Sequence, residues 1–364
     1  SAQQIVEEWF ESEEVRTTFT RWCTEMMIDP AEIGTATLLY FTVNVHKPDL
    51  YIINGKANPE HPGAPFPKGG SKNFINALMH CCEDLGAELI PNACANKITV
   101  ENGEAKSVFT TDGKEYIADK AVCSAINVKQ IYQFLGDAAP AEEALHVKNL
   151  KHADFGALNQ SYALSKIPEF KAGPEVLKAF CIEAAPNEEE YLRTFSNYPL
   201  GEPNHNMPLI TMPCLFDDTR CPEGHCVMNV YQYAPYNLYG DPQNWIKYKE
   251  PLEKEVWEYV KSLTTNITDD DIIGKWGLTP LEYEQWDQAM VHGDIGQIGL
   301  QPSQMYDMRP LVGKGHDYHG EIENLYFLGC CSHPGAGIAA SARAGVQKVL
   351  EDYDVDFRDV VKKK

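Results

Sequence analysis

The apolar positions of this chain fall first at helical spacing. Ile5, Val6, Trp9 and Phe10 recur on one helix face, and Ser1 with Gln4 reads as a capping box. After a break at residues 11–14, Val15, Phe19, Trp22, Cys23 and Met26 continue an amphipathic pattern. The chain therefore opens directly on helix. Residues 36–46 are apolar and fit either helix or strand, and residues 54–70, rich in Gly and Pro, predict loop. Ser71 is then expected to cap a helix with Phe74, Ile75, Leu78, Met79 and Cys82 on one face, ending near Gly86. Short strands are expected at 88–90, 95–101, 105–110 and 116–122, with hairpin turns at Asn102-Gly103 and Asp112-Gly113. A helix at 128–135 follows, then strands within 150–165 and 177–183. In 227–233 the residues Val227, Asn229, Tyr231 and Tyr233 share one strand face. Residues 250–262 predict an amphipathic helix with Leu252, Val256, Tyr259 and Val260 inward. A short buried strand at 324–328 and a helix at 339–352 close the pattern. No internal repeat or low-complexity tract interrupts it.

Length and charge narrow the class. A chain of 364 residues buries a real core and forms one large domain or two interleaved ones. The net charge of −22 argues against nucleic acid and against electrostatic docking on an anionic membrane. No run of about 18 apolar residues predicts a membrane-spanning helix. The first residues lack the basic and apolar blocks of a signal peptide. The 11 cysteines are odd in number and irregular in spacing, so a cytoplasmic location is expected rather than a secreted disulfide framework.

The most informative segment is 324–345. A buried strand runs into Gly329-Cys330-Cys331-Ser332-His333-Pro334-Gly335-Ala336-Gly337-Ile338, and then into an alanine-rich helix. That order aims backbone N–H groups at whatever precedes the helix, and the glycines admit a close, flat or anionic ligand. Gly335-x-Gly337-x-x-Ala340 has the outline of a dinucleotide fingerprint. That reading is rejected, because the fingerprint needs a second strand and an acidic residue beyond the helix. Only 24 residues follow Ala340, and they contain no convincing strand.

The string His333-Pro334-Gly335-Ala336-Gly337-Ile338, preceded by Leu328-Gly329, resembles the C-terminal flavin motif of phytoene desaturases, within the FAD-dependent amine-oxidase superfamily. Pro67-Lys68-Gly69-Gly70-Ser71 resembles that family's Gly-Gly segment. Residues 89–100 resemble its strand near the adenosine half of FAD, and Ala121-Val122-Cys123-Ser124-Ala125 resembles the strand that returns to the cofactor. The hairpin 213–235, His292-Gly293-Asp294 and Arg309-Pro310 lend support. The resemblance implies an α/β fold: an incomplete FAD-binding domain, Rossmann-like and of glutathione-reductase type, interleaved with a mixed-sheet substrate domain. The FAD-binding part is expected at 66–145 and 311–364, and the substrate domain at 1–65 and 146–310. It further implies hydride transfer to FAD in the dehydrogenation or desaturation of a largely apolar substrate. Cofactor contacts are implied at Ala95, Ser124, Gly329, Cys330, Cys331, Ser332, Pro334, Gly335, Ala336, Gly337 and Ile338. His333 is implied at the redox face. The alternatives are a flavin-dependent isomerase or saturase, or a non-catalytic partner subunit without cofactor.

The family begins with a strand, a G-x-G-x-x-G turn and a helix that bind the FAD pyrophosphate. Residues 1–66 hold nothing of the kind, so a piece of about 150 residues, one small domain, is expected on a separate or cleaved chain. The remaining candidates each have a plainer reading. His333 lines a flavin or is a turn residue placed by Pro334. Cys330 and Cys331 suit a covalent or redox role, or simply small-residue packing. Cys214, Cys221, His225 and Cys226 have metal-ligand softness, or form a hairpin turn. Tyr231, Tyr233, Tyr236 and Tyr239 line a pocket for a conjugated substrate, or pack as sheet core. Arg343 reaches a phosphate or faces solvent.

Overall fold

A computed structural model describes residues 1–37, 52–53, 56–57, 66–335 and 340–361. Most of the apolar run at 36–46 and of the loop at 54–70 lies outside them. The chain divides into two compact units. The first comprises Ser1–Glu25, Asp29–Leu89 and Asp154–Tyr283, and the second Met26–Ile28, Ile90–Ala153 and Glu284–Lys364.

The first unit is built on a five-stranded sheet. Its order is Ile272–Leu278, Gly156–Leu164, Cys226–Ala234, Leu209–Thr211 and Cys181–Glu183. Each neighbouring pair is antiparallel, so the mixed sheet expected here resolves into an antiparallel one. Cys226–Ala234 pairs with Gly156–Leu164 along its whole length, from Cys226↔Leu164 to Ala234↔Gly156. Its alternation sets that register, since a one-residue slip would turn Met228 and Val230, both fully buried, to the other face. The helix Asn244–Ser262 buries Leu252, Val256, Trp257 and Val260 in the same core. It begins six residues before the expected start at 250, carrying Pro251 inside it. Pro251 is exposed, so solvent rather than core adjoins it.

At the chain start, the capping box of Ser1 and Gln4 is present, and Ala2–Trp9 and Glu13–Thr24 are helices. The helix Ser71–Asp84 departs from expectation at its start, because its N-cap is Gly70 and not Ser71. Gly70 has φ +106°, and a Cβ there would meet the Arg220 guanidinium at 2.8 Å. The Asp217 carboxylate accepts the Gly69 N–H at 2.6 Å. Those neighbours displace the serine cap. The apolar stripe of this helix stays open, with Phe74 38%, Ile75 46%, Leu78 44% and Met79 44% exposed.

The second unit carries a three-stranded antiparallel hairpin sheet, Ala95–Glu101, Glu104–Thr110 and Glu115–Ile117. The strand expected at 88–90 does not form. That expected at 116–122 divides at a bend on Asp119 and Lys120. Its second part, Val122–Ser124, pairs in parallel with Leu325–Phe327. Helices Val128–Leu135, Ala141–Asn149 and Ala340–Asp352 belong to this unit. Ile98, Val122, Ile131, Leu135, Leu325 and Phe327 share its core. Relative to the expected domain limits, the Ser71–Asp84 helix falls in the first unit and residues 284–310 in the second.

Met228→Ala should lower the unfolding free energy by about 2–5 kcal/mol, because a fully buried side chain leaves a cavity. Ile246→Ala, at a site 76% exposed, should change it by less than about 0.5 kcal/mol. Urea titrations of the two variants check the contrast.

Candidate functional site

The candidate site grows out of the short strand Leu325–Phe327, all of whose residues are buried. Leu328 N–H donates to the Ser124 carbonyl at 2.7 Å, extending the parallel pairing one step. The chain then passes so close to Ala125 that a Cβ on Gly329 would stand 2.3 Å from its carbonyl oxygen. Only glycine fits there. The following turn is fastened from inside. Ser332 N–H donates to the Gly329 carbonyl at 3.0 Å, and Ser332 Oγ to that of Phe327 at 2.7 Å. Gly335 N–H donates to the Ser332 carbonyl at 2.7 Å, and Ser341 Oγ from the following helix at 3.0 Å. The His333–Pro334 peptide is cis.

A buried cation holds the turn from outside. Arg309 is fully buried. Its Nη1 donates to the Gly299 carbonyl at 2.8 Å, and its Nη2 to Ile298 at 3.0 Å and Gly296 at 3.2 Å. Cys330 accepts from Nη2 at 2.8 Å and from Nε at 3.2 Å. Burial lowers the Arg309 pKa to about 10, which leaves it charged at neutral pH. Gly335, with φ +86°, abuts this side chain, since a Cβ would lie 2.9 Å from Arg309 Nε.

Two amides complete the scaffold. Gln297 donates to the Ala125 carbonyl at 2.9 Å and accepts the Cys331 N–H at 3.3 Å, so one side chain ties both sides of the turn. Asn127 caps the Val128–Leu135 helix and donates to the Gln297 carbonyl at 2.6 Å. Cys330 and Cys331 are free thiols, and burial pushes both upward in pKa. His333 is half-buried, with its ring 4.9 Å from that of His316. Its Nδ1 is buried without a hydrogen-bond partner. Burial, then His316 and Arg309, lower its pKa, so the imidazole is neutral at pH 7.

A second histidine lies deeper in this unit. His152 Nδ1 is 3.8 Å from the buried Asp294 carboxylate, and its ring is 4.4 Å from that of His292. Burial lowers the His152 pKa to about 3, with His292 and Lys129 adding to the effect. Asp294 does not rescue the charge. It already accepts the N–H groups of Ala153 at 2.7 Å and Gly296 at 2.7 Å.

Ser124, Gly329, Cys330, Cys331, Ser332, His333, Pro334 and Gly335 are thus brought to one turn. Ala336, Gly337 and Ile338 lie outside the described residues. Ala95 is placed apart from it, opposite Thr110 in the hairpin sheet. It stands six residues, roughly 20 Å at strand rise, from Glu101. Tyr233 belongs to the core of the first unit, beneath the Arg21 guanidinium at 4.4 Å, while Tyr239 is exposed. Tyr233 thus takes the sheet-core place, and Tyr239 faces outward. Arg343 is exposed and lies 6.0 Å over the Phe357 ring. His225 Nδ1 meets the Glu223 carbonyl at 3.2 Å, and among the described residues no group of three or more His, Cys, Asp or Glu has metal-holding geometry. Sequence reasoning missed the roles of Asn127, Gln297 and Arg309. Only Asn127, an Asx residue before an apolar helical run, carries a local signal.

No protein-family model matches the chain. In sequence it is similar to a phytoene desaturase (lycopene-forming) of Pseudescherichia vulneris, 25% identical over 300 residues, 80% of this chain and 57% of that protein. The chain is related to the carotenoid desaturases. It is also similar to prolycopene isomerase 1 of an Oncidium hybrid cultivar, 23% identical over 307 residues, 81% of this chain and 47% of that protein. The chain spans about half the length of these desaturase-type relatives. An oxidoreductase structure from Methanosarcina mazei superimposes with a TM-score of 0.58 at 16% identity, covering 96% of this chain and 68% of that one. The fold is that of this oxidoreductase.

Arg309→Met should lower stability by at least about 3 kcal/mol, because several buried carbonyls lose their donor together. Arg309→Lys should recover only part of that loss, and chemical denaturation separates the three proteins. The His152 pKa lies below its ordinary 6.5, so below that value the unfolded chain binds the proton first. Stability should therefore fall as pH drops from about 6.5 towards 3, by roughly 2–4 kcal/mol from this residue. His152→Asn should flatten that part of the pH–stability curve.

Proposed function

We propose that the chain supplies the ring-side half of an FAD site in a flavin-dependent oxidoreductase acting on a largely apolar substrate. The observation that carries this reading is the turn 329–335, pinned by Arg309 and Gln297 between a buried parallel strand and the helix Ala340–Asp352. Gly329 to Gly335, with Ser124 and the adjoining Ala336, Gly337 and Ile338, would hold the flavin, and Ala95 its adenosine half. The buried, unpartnered Nδ1 of His333 fits a polar edge of such a ring. Bound there, FAD supplies the hydride acceptor for dehydrogenation or desaturation. The chain's own residues present a neutral His333 and a helix whose positive end favours negative charge before it.

In this reading the pyrophosphate-binding unit lies on a separate cytoplasmic chain. Three observations support it. The sequence holds no G-x-G-x-x-G string, the match covers 57% of the phytoene desaturase and 47% of the isomerase, and the stripe Phe74, Ile75, Leu78 and Met79 is uncovered. Mass spectrometry and absorbance of the purified material test it. A second polypeptide with that string and a flavin spectrum are expected. A soluble, colourless monomer overturns the reading, and a colourless complex points to a non-catalytic partner subunit.

The isomerase match favours a second reading, in which reduced flavin rearranges a polyene without net oxidation. Anaerobic turnover with and without an electron acceptor separates the two. His333→Ala should slow flavin reduction by phytoene roughly tenfold per bound flavin, about 1.4 kcal/mol. Stopped-flow absorbance checks it.

A further inference from the structure

Three thiols meet beside the strand Cys226–Ala234 of the first unit. Cys214 lies in the short helix Pro213–Leu215, Cys226 opens the strand, and Cys221 sits in the loop between them. Cys214 Sγ is 3.6 Å from Cys226 Sγ and accepts the Val227 N–H at 3.3 Å. Cys221 also lies against Cys214 and donates to the His225 carbonyl at 3.3 Å. The hydrogen bond with Cys226, reinforced by backbone contacts at Val227 and by Cys221, outweighs burial and brings the Cys214 pKa down to about 6. The same shared proton pushes the Cys226 thiol upward. Cys226 is 1% exposed, whereas Cys214 is only partly buried. A thiolate open to a small oxidant therefore stands beside a protonated, shielded thiol, the arrangement that favours intramolecular disulfide formation.

We propose that Cys214 and Cys226 form a peroxide-responsive dithiol, with Cys214 the attacking thiolate and Cys226 the resolving thiol. The Cys214 thiolate attacks one oxygen of hydrogen peroxide. The O–O bond breaks, Cys214 becomes a sulfenic acid, and the departing hydroxide takes a proton to leave as water. The Cys226 sulfur, giving up its proton, then attacks Cys214 Sγ. The S–O bond breaks, the S–S bond forms and a second water leaves, so the sulfur pair loses two electrons and one peroxide is reduced. A disulfide needs the sulfurs at about 2.05 Å, an approach of about 1.5 Å from their present separation. The loop so closed carries Asp217, which accepts the Gly69 N–H and, at 3.0 Å, the Arg220 Nε. Oxidation thus fastens the loop that holds the turn ahead of the Ser71–Asp84 helix.

The test is a non-reducing peptide map of the purified protein after treatment with stoichiometric hydrogen peroxide. A Cys214–Cys226 linked peptide is expected, lighter by two hydrogens and reversed by dithiothreitol. In Cys226→Ser, which keeps a hydroxyl donor, dimedone should trap a sulfenic acid on Cys214. In Cys221→Ser the link should still form. A Cys214–Cys221 link, a dimedone adduct on Cys221, or no link at Cys214 overturns the proposal. The wild-type map stands independently of how either variant folds.

Discussion

Fully buried in its unit, the Arg309 guanidinium donates to the carbonyls of Gly296, Ile298, Gly299 and Cys330. A planar fork suits this task where a lysine ammonium does not, because several acceptors approach in one plane. The carbonyls solvate the cation without neutralising it, so its charge persists and helps keep His333 unprotonated. Asp294 stands near enough to favour that charge while fixing the backbone at Ala153 and Gly296. The path of residues 296–299 and the turn after Phe327 are therefore joined through one side chain. The uncrowded backbone of Gly335 is what lets that side chain lie against the turn.

Much of this was legible in the sequence wherever a pattern was local. The capping box at Ser1, the Asn102-Gly103 hairpin, the helix at 128–135 and the strand–glycine–helix order at 325–352 each follow from neighbouring residues. The failures share a cause, since each depended on a partner far away in the chain. Ser71 gave up its cap because Asp217 and Arg220 hold the preceding glycines. The segment 116–122 broke because its second part pairs with a strand 200 residues later. The site followed the same rule. Its turn was visible as a string of glycines, but Arg309 and Gln297 act across the fold and leave no local trace.

The fold match and the glycine positions constrain different things. A fold match at 16% identity speaks to the path of the backbone. The glycine positions speak to what lies close to it. Gly329 and Gly345 are filled by the protein itself, by the Ala125 carbonyl and the Leu328 side chain. Their small size serves internal packing. The His333 Nδ1 is a polar atom that this packing leaves without a hydrogen-bond partner. The distinction matters when variants are interpreted, because a bulky residue at Gly329 would disturb the scaffold before it touched any ligand.

The Ser71–Asp84 helix has a consequence for the life of the chain in a cell. A stripe of Phe74, Ile75, Leu78 and Met79 open to water is the kind of surface that chaperones and proteases read as unfinished folding. Abundance in a cell would then depend on this surface as well as on how well the cores are packed.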